Sequence, residues 1–232
     1  MFYYYYDPTY ILVLIGAVIC ILASSRVNRV FNKYAQVRSH SGLTGREAAE
    51  GILKSNGIYD VQVRHISGNL NDHYDPRNKT LSLSDATYQS ASVAAIGVAA
   101  HECGHAVQHS VGYVPLKIRG ALVPVANFGS AAAWPLVIIG LFIRGNASAF
   151  LINLGIFLFS GAVLFQLVTL PVEINASRRA VKALETSGML YPEEIGATKE
   201  VLSAAALTYV ASAASMILQL LRLLFIGGRR RD

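Results

Sequence analysis

Four apolar stretches dominate the hydrophobic pattern of this chain, over residues 9–25, 122–143, 147–170 and 203–226. A helix needs roughly 20 apolar residues to cross a hydrocarbon core of about 30 Å, so each stretch approaches the length of a transmembrane helix. Gln219 and Arg222 interrupt the fourth stretch, which leaves open whether it crosses the bilayer or lies at the interface. The pattern predicts a multi-pass membrane protein.

Between the first and second stretches the pattern changes to that of a small α+β region. Thr44 and Glu47 have the spacing of a capping box, which predicts a helix that ends near residue 55. Alternating apolar and polar residues over 61–66 and 79–84 predict two strands. A run of small apolar residues over 91–100 then predicts a helix that continues through the polar residues after it.

Composition and charge support a membrane location. Hydrophobic residues make up 53% of the chain and charged residues 15%, which is too apolar for an ordinary soluble domain. Basic residues follow the first and third stretches and precede the second, whereas the N-terminus, with aromatic residues at 2–6, and the hairpin tip near residue 145 carry almost none. The positive-inside rule therefore places residues 26–121 and 171–202 in the cytoplasm. The arginines at 229–231 would break this rule if the fourth stretch crosses.

Two further classes of protein are disfavoured. The net charge of +6 is concentrated beside the apolar stretches, where anionic lipid explains it, and we find no nucleic-acid motif. Cys20 and Cys103 are the chain's two cysteines, and the first lies within an apolar stretch, so no disulfide framework is expected. The lipid bilayer is thus the partner that composition predicts.

The polar residues after position 100 read His101-Glu102-Cys103-Gly104-His105. On a helix, residues four apart lie on one face, so both imidazoles can reach one metal ion. Glu102 would lie beside that ion, where a general base is needed for peptide hydrolysis. The alternative to a metal site is two ordinary helix histidines without a functional role. Burying them with a glutamate and without a partner would cost roughly several kcal/mol. The motif therefore predicts a zinc site, with Cys103 a small buried side chain rather than a ligand.

A catalytic zinc site takes three protein ligands, so a third donor is required. His109 would lie roughly 12 Å along the helix axis from His101, too far to share the ion. Glu173 follows the third apolar stretch, where Pro171 predicts a helix start, and an even number of crossings returns it to the side of the motif. Spacing alone does not separate a ligand here from a surface carboxylate paired with a neighbouring arginine.

At this point a family resemblance becomes specific. The runs that carry it are AAHECGHAVQ at 99–108, VEINASRRA at 172–180, LNDHYDP at 70–76 and AAALTYV at 204–210. The chain resembles the YugP-type membrane zinc metallopeptidases over essentially its whole length. The metal helix and the glutamate helix are also more distantly similar to the HtpX and CAAX-prenyl-protease group of membrane gluzincins.

The resemblance implies Zn²⁺ as the cofactor, with His101, His105 and Glu173 as its ligands and Glu102 as the base. One position departs from the HtpX-like pattern, which has Asp four residues after the ligand glutamate, a carboxylate that orients a metal-bound histidine. Ser177 stands there in this chain. A group other than this aspartate must therefore orient the metal-bound histidine.

Together these features predict a mainly α membrane protein, with transmembrane helices plus a small α+β zincin-like catalytic domain that contains the HExxH helix. The expected activity is that of a zinc-dependent endopeptidase of the cell membrane, which hydrolyses membrane or membrane-associated proteins at the membrane surface. The alternative is a non-catalytic, zinc-stabilised membrane scaffold or regulator, which would not need a carboxylate base. The sequence carries no indication of the oligomeric state.

The segments expected are an N-terminal anchor (1–25), the catalytic region (26–121), a transmembrane hairpin (122–170), the third-ligand helix region (171–202), and a final hydrophobic helix with a basic tail (203–232). Four side chains are candidates for stabilising the oxyanion or supporting the ligands: Tyr209, Arg178, Ser177 and His109.

Overall fold

The computed structural model describes residues 7–228. The aromatic residues 2–6 and the arginines 229–231, which entered the charge argument, lie outside the described residues. The elements in chain order are α1 (Tyr10–Ala35), α2 (Gly45–Ser55), β1 (Gln62–His65), β2 (His73–Asp75), β3 (Thr80–Leu83), α3 (Asp85–Tyr88), α4 (Val93–Ser110), α5 (Val114–Phe142), α6 (Asn146–Ser187) and α7 (Pro192–Gly228). The predicted helical class with a small sheet is confirmed.

Four of these helices are long and apolar enough to cross a membrane, namely α1, α5, α6 and α7. All four predicted apolar stretches are thus helical, and each helix extends beyond its stretch. By contact the chain divides into two compact units. The first, here called the membrane unit, comprises residues 7–23, 118–170 and 208–228 of the described chain. The second, here called the polar unit, comprises residues 24–117 and 171–207.

Helices pack closely within the membrane unit where glycines leave room. A Cβ added at Gly140 would lie 2.8 Å from Ile152 Cγ1, and one at Gly16 would lie 2.7 Å from Ser215 Oγ. Small residues permit such close approach between transmembrane helices. Leu223 of α7 packs into a buried cluster with residues of α5 and α6. The fourth apolar stretch, left open by the sequence, is therefore a packed member of this helical unit.

The polar unit contains a sheet with the strand order β1-β3-β2, in which β1 runs parallel and β2 antiparallel to β3. All four residues of the central strand β3 are buried. Strands β1 and β3 confirm the sequence prediction. Strand β2 was not predicted, because three residues are too few to show an alternating pattern. Helix α2 begins with the expected capping box between Thr44 and Glu47.

Helix α4 lies at the centre of the polar unit, and 14 of its residues are buried. Ser92 caps it by accepting a hydrogen bond from the backbone N–H of Ala95 at 3.2 Å. Ala100 and Cys103 pack in one core cluster with Ala180 and Leu184 of α6. The small side chains of α4 allow α6 to lie against it, so residues far apart in the chain can meet.

Helix α6 differs from the sequence prediction, because Pro171 lies inside it and does not begin a new helix. Proline removes one backbone N–H and hence one hydrogen bond to the residue four positions earlier. Membrane helices tolerate this loss, since neighbouring groups can satisfy the freed carbonyl. Glu173 is therefore carried by the same helix as the third apolar stretch.

Candidate metal centre

Three side chains converge where α4 faces α6 within the polar unit. His101 Nε2 lies 3.2 Å, and His105 Nε2 lies 3.5 Å, from Glu173 Oε2. All three potential ligand atoms lie within 4.8 Å of one another. The two imidazole rings are 4.9 Å apart at 86°, as expected for residues one helical turn apart that turn towards one point. The structure thus brings Glu173 to the histidines across 72 residues of sequence from His101.

The burial and charge of this site favour a cation. Glu173 is 2% exposed and His105 is 8% exposed. Burial raises the pKa of Glu173, but hydrogen bonds from His101 and His105 outweigh it and hold that pKa well below its usual range. The site therefore offers an ionised carboxylate oxygen and two imidazole nitrogens. This is a donor set that zinc takes in catalytic sites, so the residues fit the ion.

Glu102 lies between the two histidines in sequence and is 8% exposed. No hydrogen bond or ion pair to another of residues 7–228 engages its carboxylate. A carboxylate in this state can accept a proton from a nearby water. Cys103, by contrast, is fully buried, with its Sγ 3.6 Å from the carbonyl oxygen of Ala49, and burial raises the pKa of its thiol. It packs in the core, as expected.

The glycine inside the motif explains how α6 comes so near. A Cβ on Gly104 would lie 3.0 Å from the carbonyl carbon and 3.1 Å from the Cα of Ala176, and nearer still to its carbonyl oxygen. The missing side chain of Gly104 lets the backbone of α6 lie against α4. Since Glu173 lies one turn before Ala176, this close approach carries the carboxylate towards the histidines.

The outer nitrogen of His101 has a hydroxyl partner. Ser177 Oγ lies 3.1 Å from His101 Nδ1. Ser177 stands at the sequence position where the HtpX-like pattern has an aspartate, and in this chain a hydroxyl is the group beside the ring. A serine hydroxyl can donate or accept, and it therefore leaves the protonation of His101 Nδ1 unspecified.

Sequence reasoning missed the partner of the second histidine. Gln108 is fully buried, and its Oε1 lies 3.1 Å from His105 Nδ1. Its Nε2 donates to the carbonyl oxygen of Val172 at 2.8 Å and to Asn175 Oδ1 at 3.0 Å. Arg179 Nε donates to the same oxygen of Asn175 at 2.8 Å. The available signal was the three-residue spacing from His105, which places Gln108 on the metal-facing side of α4.

The remaining candidates lie in different surroundings. The ring of His109 is joined to Tyr74 of β2, with 2.8 Å between Nδ1 and the phenol oxygen, and burial raises the pKa of Tyr74 to about 12. Arg178 is exposed and, with Ser177, lines a cavity of about 370 Å³. Tyr209 belongs to the membrane unit. Their suggested roles in stabilising an oxyanion stay predictions.

A partly buried histidine, a buried histidine and a buried glutamate on packed helices, in a chain with four helices long and apolar enough to cross a membrane, are typical of a helical membrane protein with a metal site. A family model described as "Putative neutral zinc metallopeptidase" matches residues 9–228, and the chain belongs to this family. The chain is 47% identical over 209 residues to "Putative membrane protease YugP" of Bacillus subtilis (strain 168), which covers 89% of this chain and 92% of that protein. No solved structure matches the chain. The family confirms the predicted resemblance and zinc as the metal.

Proposed function

We propose that this chain is an integral-membrane zinc endopeptidase with a zincin-like catalytic region, acting on membrane or membrane-associated proteins at the membrane surface. The observation that carries the proposal is the convergence of His101, His105 and Glu173, and Glu102 follows His101 on the same helix. In this proposal the first three residues hold zinc. A purely structural zinc site is usually closed by four protein ligands, whereas three ligands leave a position open for chemistry.

The chain's own groups suit peptide hydrolysis. Zinc in such a site supplies a Lewis acid and brings the pKa of a coordinated water close to neutrality. Glu102 takes the proton as the water attacks the peptide carbonyl, and returns it to the leaving amine. Ser177 orients the ring of His101 through the 3.1 Å contact to its Nδ1. We propose that Arg178 or His109 supplies the donor that stabilises the oxyanion.

Strand β2 offers a place for an extended substrate. It lies at one edge of the sheet and pairs on one side with β3, so its other side has backbone groups available. An extended peptide can add to such an edge through main-chain hydrogen bonds. Tyr74 of β2 is joined to His109 near the end of α4, so this edge adjoins the helix that carries the motif. We propose that substrate binds along it.

The proposed topology has four crossings. Gly16 of α1 meets Ser215 of α7, and Arg222 of α7 lies 3.7 Å from Asp7, which precedes α1, so these two helices are antiparallel. In this proposal segments 1–25 and 122–170 and the hydrophobic helix of 203–232 form the membrane part, and 26–121 and 171–202 form the catalytic part. We propose the cytoplasmic side for the catalytic part, because basic residues flank it at 26–38, 117–119 and 178–182, whereas the hairpin tip carries Arg144 alone.

Zinc content of the detergent-solubilised protein tests the site. Wild type should hold about one zinc per chain, as a three-ligand site predicts. Glu173→Ala should lose it, whereas Glu185→Ala, an exposed glutamate of the same helix, should keep it. Zinc binding that is indifferent to Glu173 would remove the proposed ligand set.

The Glu102→Gln variant distinguishes the endopeptidase hypothesis from the scaffold hypothesis. The variant should keep zinc, because Glu102 is not a proposed ligand, while cleavage of a membrane-protein substrate should fall by orders of magnitude, roughly 100-fold or more. Catalysis by Glu102→Gln at the wild-type rate would refute the base assignment. A zinc-loaded wild type that cleaves none of a broad set of membrane proteins would favour the scaffold.

A further inference from the structure

Gln108 has a buried side-chain amide to which the proposed function gives no role. All of its hydrogen-bonding groups have partners. It is fully buried on α4, three residues after His105. A side-chain amide carries two N–H donors on one end and an acceptor oxygen on the other. Because a buried polar group that lacks its hydrogen bonds is costly, the chemistry of the neighbours decides which way the amide points.

Two neighbours determine that orientation independently. The carbonyl oxygen of Val172, 2.8 Å away, can only accept, so the nitrogen end of Gln108 must face it. Arg179 Nε can only donate, so the Asn175 atom that lies 2.8 Å from it must be the amide oxygen. That same oxygen lies 3.0 Å from Gln108 Nε2 and again requires a donor there. Both constraints turn Gln108 Oε1 towards His105.

The orientation of Gln108 has a consequence for the metal site. An amide oxygen can only accept, so His105 Nδ1, at 3.1 Å, must carry the hydrogen. In the metal-free protein Nε2 faces Glu173 Oε2 at 3.5 Å and can carry a second hydrogen that it donates to that carboxylate. In the neutral imidazole that binds a metal, the hydrogen stays on Nδ1 and the lone pair lies on Nε2. We propose that Gln108 is a positioning residue that holds His105 in the Nδ1–H tautomer, so that Nε2 is presented to the metal. This inference rests on the proposed function for its metal, but the hydrogen on His105 Nδ1 is also a property of the metal-free protein.

The two histidines are held differently. Ser177 can donate to or accept from His101 Nδ1, whereas Gln108 can only accept from His105 Nδ1. Gln108 therefore restricts the position of the hydrogen on His105 more strictly than Ser177 does on His101. Replacing such a partner of a metal-bound histidine typically lowers metal affinity by about 10- to 100-fold.

The test compares Gln108→Met with wild type and with Thr198→Val. Methionine matches glutamine in length but accepts no comparable hydrogen bond. Thr198 is also fully buried, packs against α4 at Gly97, and has a hydroxyl without a hydrogen-bond partner among the described residues, so its valine variant changes a buried polar group beside the same helix. Zinc affinity is measured by chelator competition. Proton–nitrogen NMR of histidine side chains in the metal-free proteins reports whether His105 Nδ1 carries a hydrogen, with the signal assigned by use of a His105 variant.

Support requires zinc affinity about 10- to 100-fold weaker in Gln108→Met, unchanged affinity in Thr198→Val, and loss of the Nδ1–H signal of His105 in Gln108→Met alone. Equal zinc affinity in Gln108→Met and wild type would overturn the inference, as would equal losses in both variants. If Gln108→Met does not fold, the metal-free wild type alone decides: a hydrogen on His105 Nδ1 supports the inference, and its absence refutes it. If wild type binds no zinc, the proposed function fails, and the NMR comparison still decides whether Gln108 keeps a hydrogen on His105 Nδ1.

Discussion

Replacing Gly104 by alanine tests whether the close approach of α4 and α6 positions the proposed metal ligands. In Gly104→Ala the new Cβ would lie 3.1 Å from Ala176 Cα, against an ordinary contact of 3.4–4 Å, so the helices must part by at least about 0.3 Å. Overpacking of this kind typically costs about 1–3 kcal/mol. Zinc sites keep ligand distances within about 0.2 Å, so the shift also strains the proposed ligand set.

The matched control for this substitution is Gly196→Ala in α7, where an added Cβ would meet no atom within 4 Å. Both variants gain the helix propensity of alanine, about 1 kcal/mol, so this gain cancels in the comparison. The free energy of unfolding of the metal-free proteins should be about 1–3 kcal/mol lower for Gly104→Ala than for Gly196→Ala.

Zinc affinity is the second assay. If the overpacking destabilises the zinc-bound protein and not the metal-free protein, zinc should bind Gly104→Ala about 5- to 150-fold more weakly. Each 1.4 kcal/mol of lost binding free energy is tenfold in affinity. Equal stability and equal zinc affinity for the two alanine variants would refute the argument that Gly104 sets the spacing of the helices.

Two further predictions concern the rest of the polar unit. Glu194 is buried, and although burial raises its pKa, backbone hydrogen bonds from Tyr191 and His40 outweigh it and the net shift is downward. The ionised Glu194 therefore stabilises the protein above its unfolded pKa of about 4.3, and this stabilisation disappears as the pH falls through the folded pKa. Glu194→Gln should destabilise the protein at pH 7 and much less at acid pH. A destabilisation that grows towards acid pH would contradict this. Thr44→Ala should remove the cap that accepts from the Glu47 N–H at 3.2 Å and cost about 1 kcal/mol, measured by thermal unfolding, with no effect on zinc affinity.

Several elements could be predicted because their signals are local. The capping box at Thr44 specifies where α2 begins, since the cap and its partner lie three residues apart. Strands β1 and β3 were visible from alternation, whereas β2 exists through its pairing of His73 with Ser82 and Tyr74 with Leu81. Pro171 misled the prediction, because a proline marks a helix start only when the preceding residues do not already form a helix.

The sequence by itself determined that four segments are long and apolar enough to cross a membrane, and that His101, Glu102 and His105 lie on one helix. Hydrophobic length and helical spacing act within a single segment, so they can be read without knowing the fold. The tertiary structure alone decided that Glu173 meets the histidines, that Gln108 holds the ring of His105, and that the glycine of the motif admits the backbone of α6. These contacts depend on how two helices pack across a long sequence separation, which no local pattern encodes.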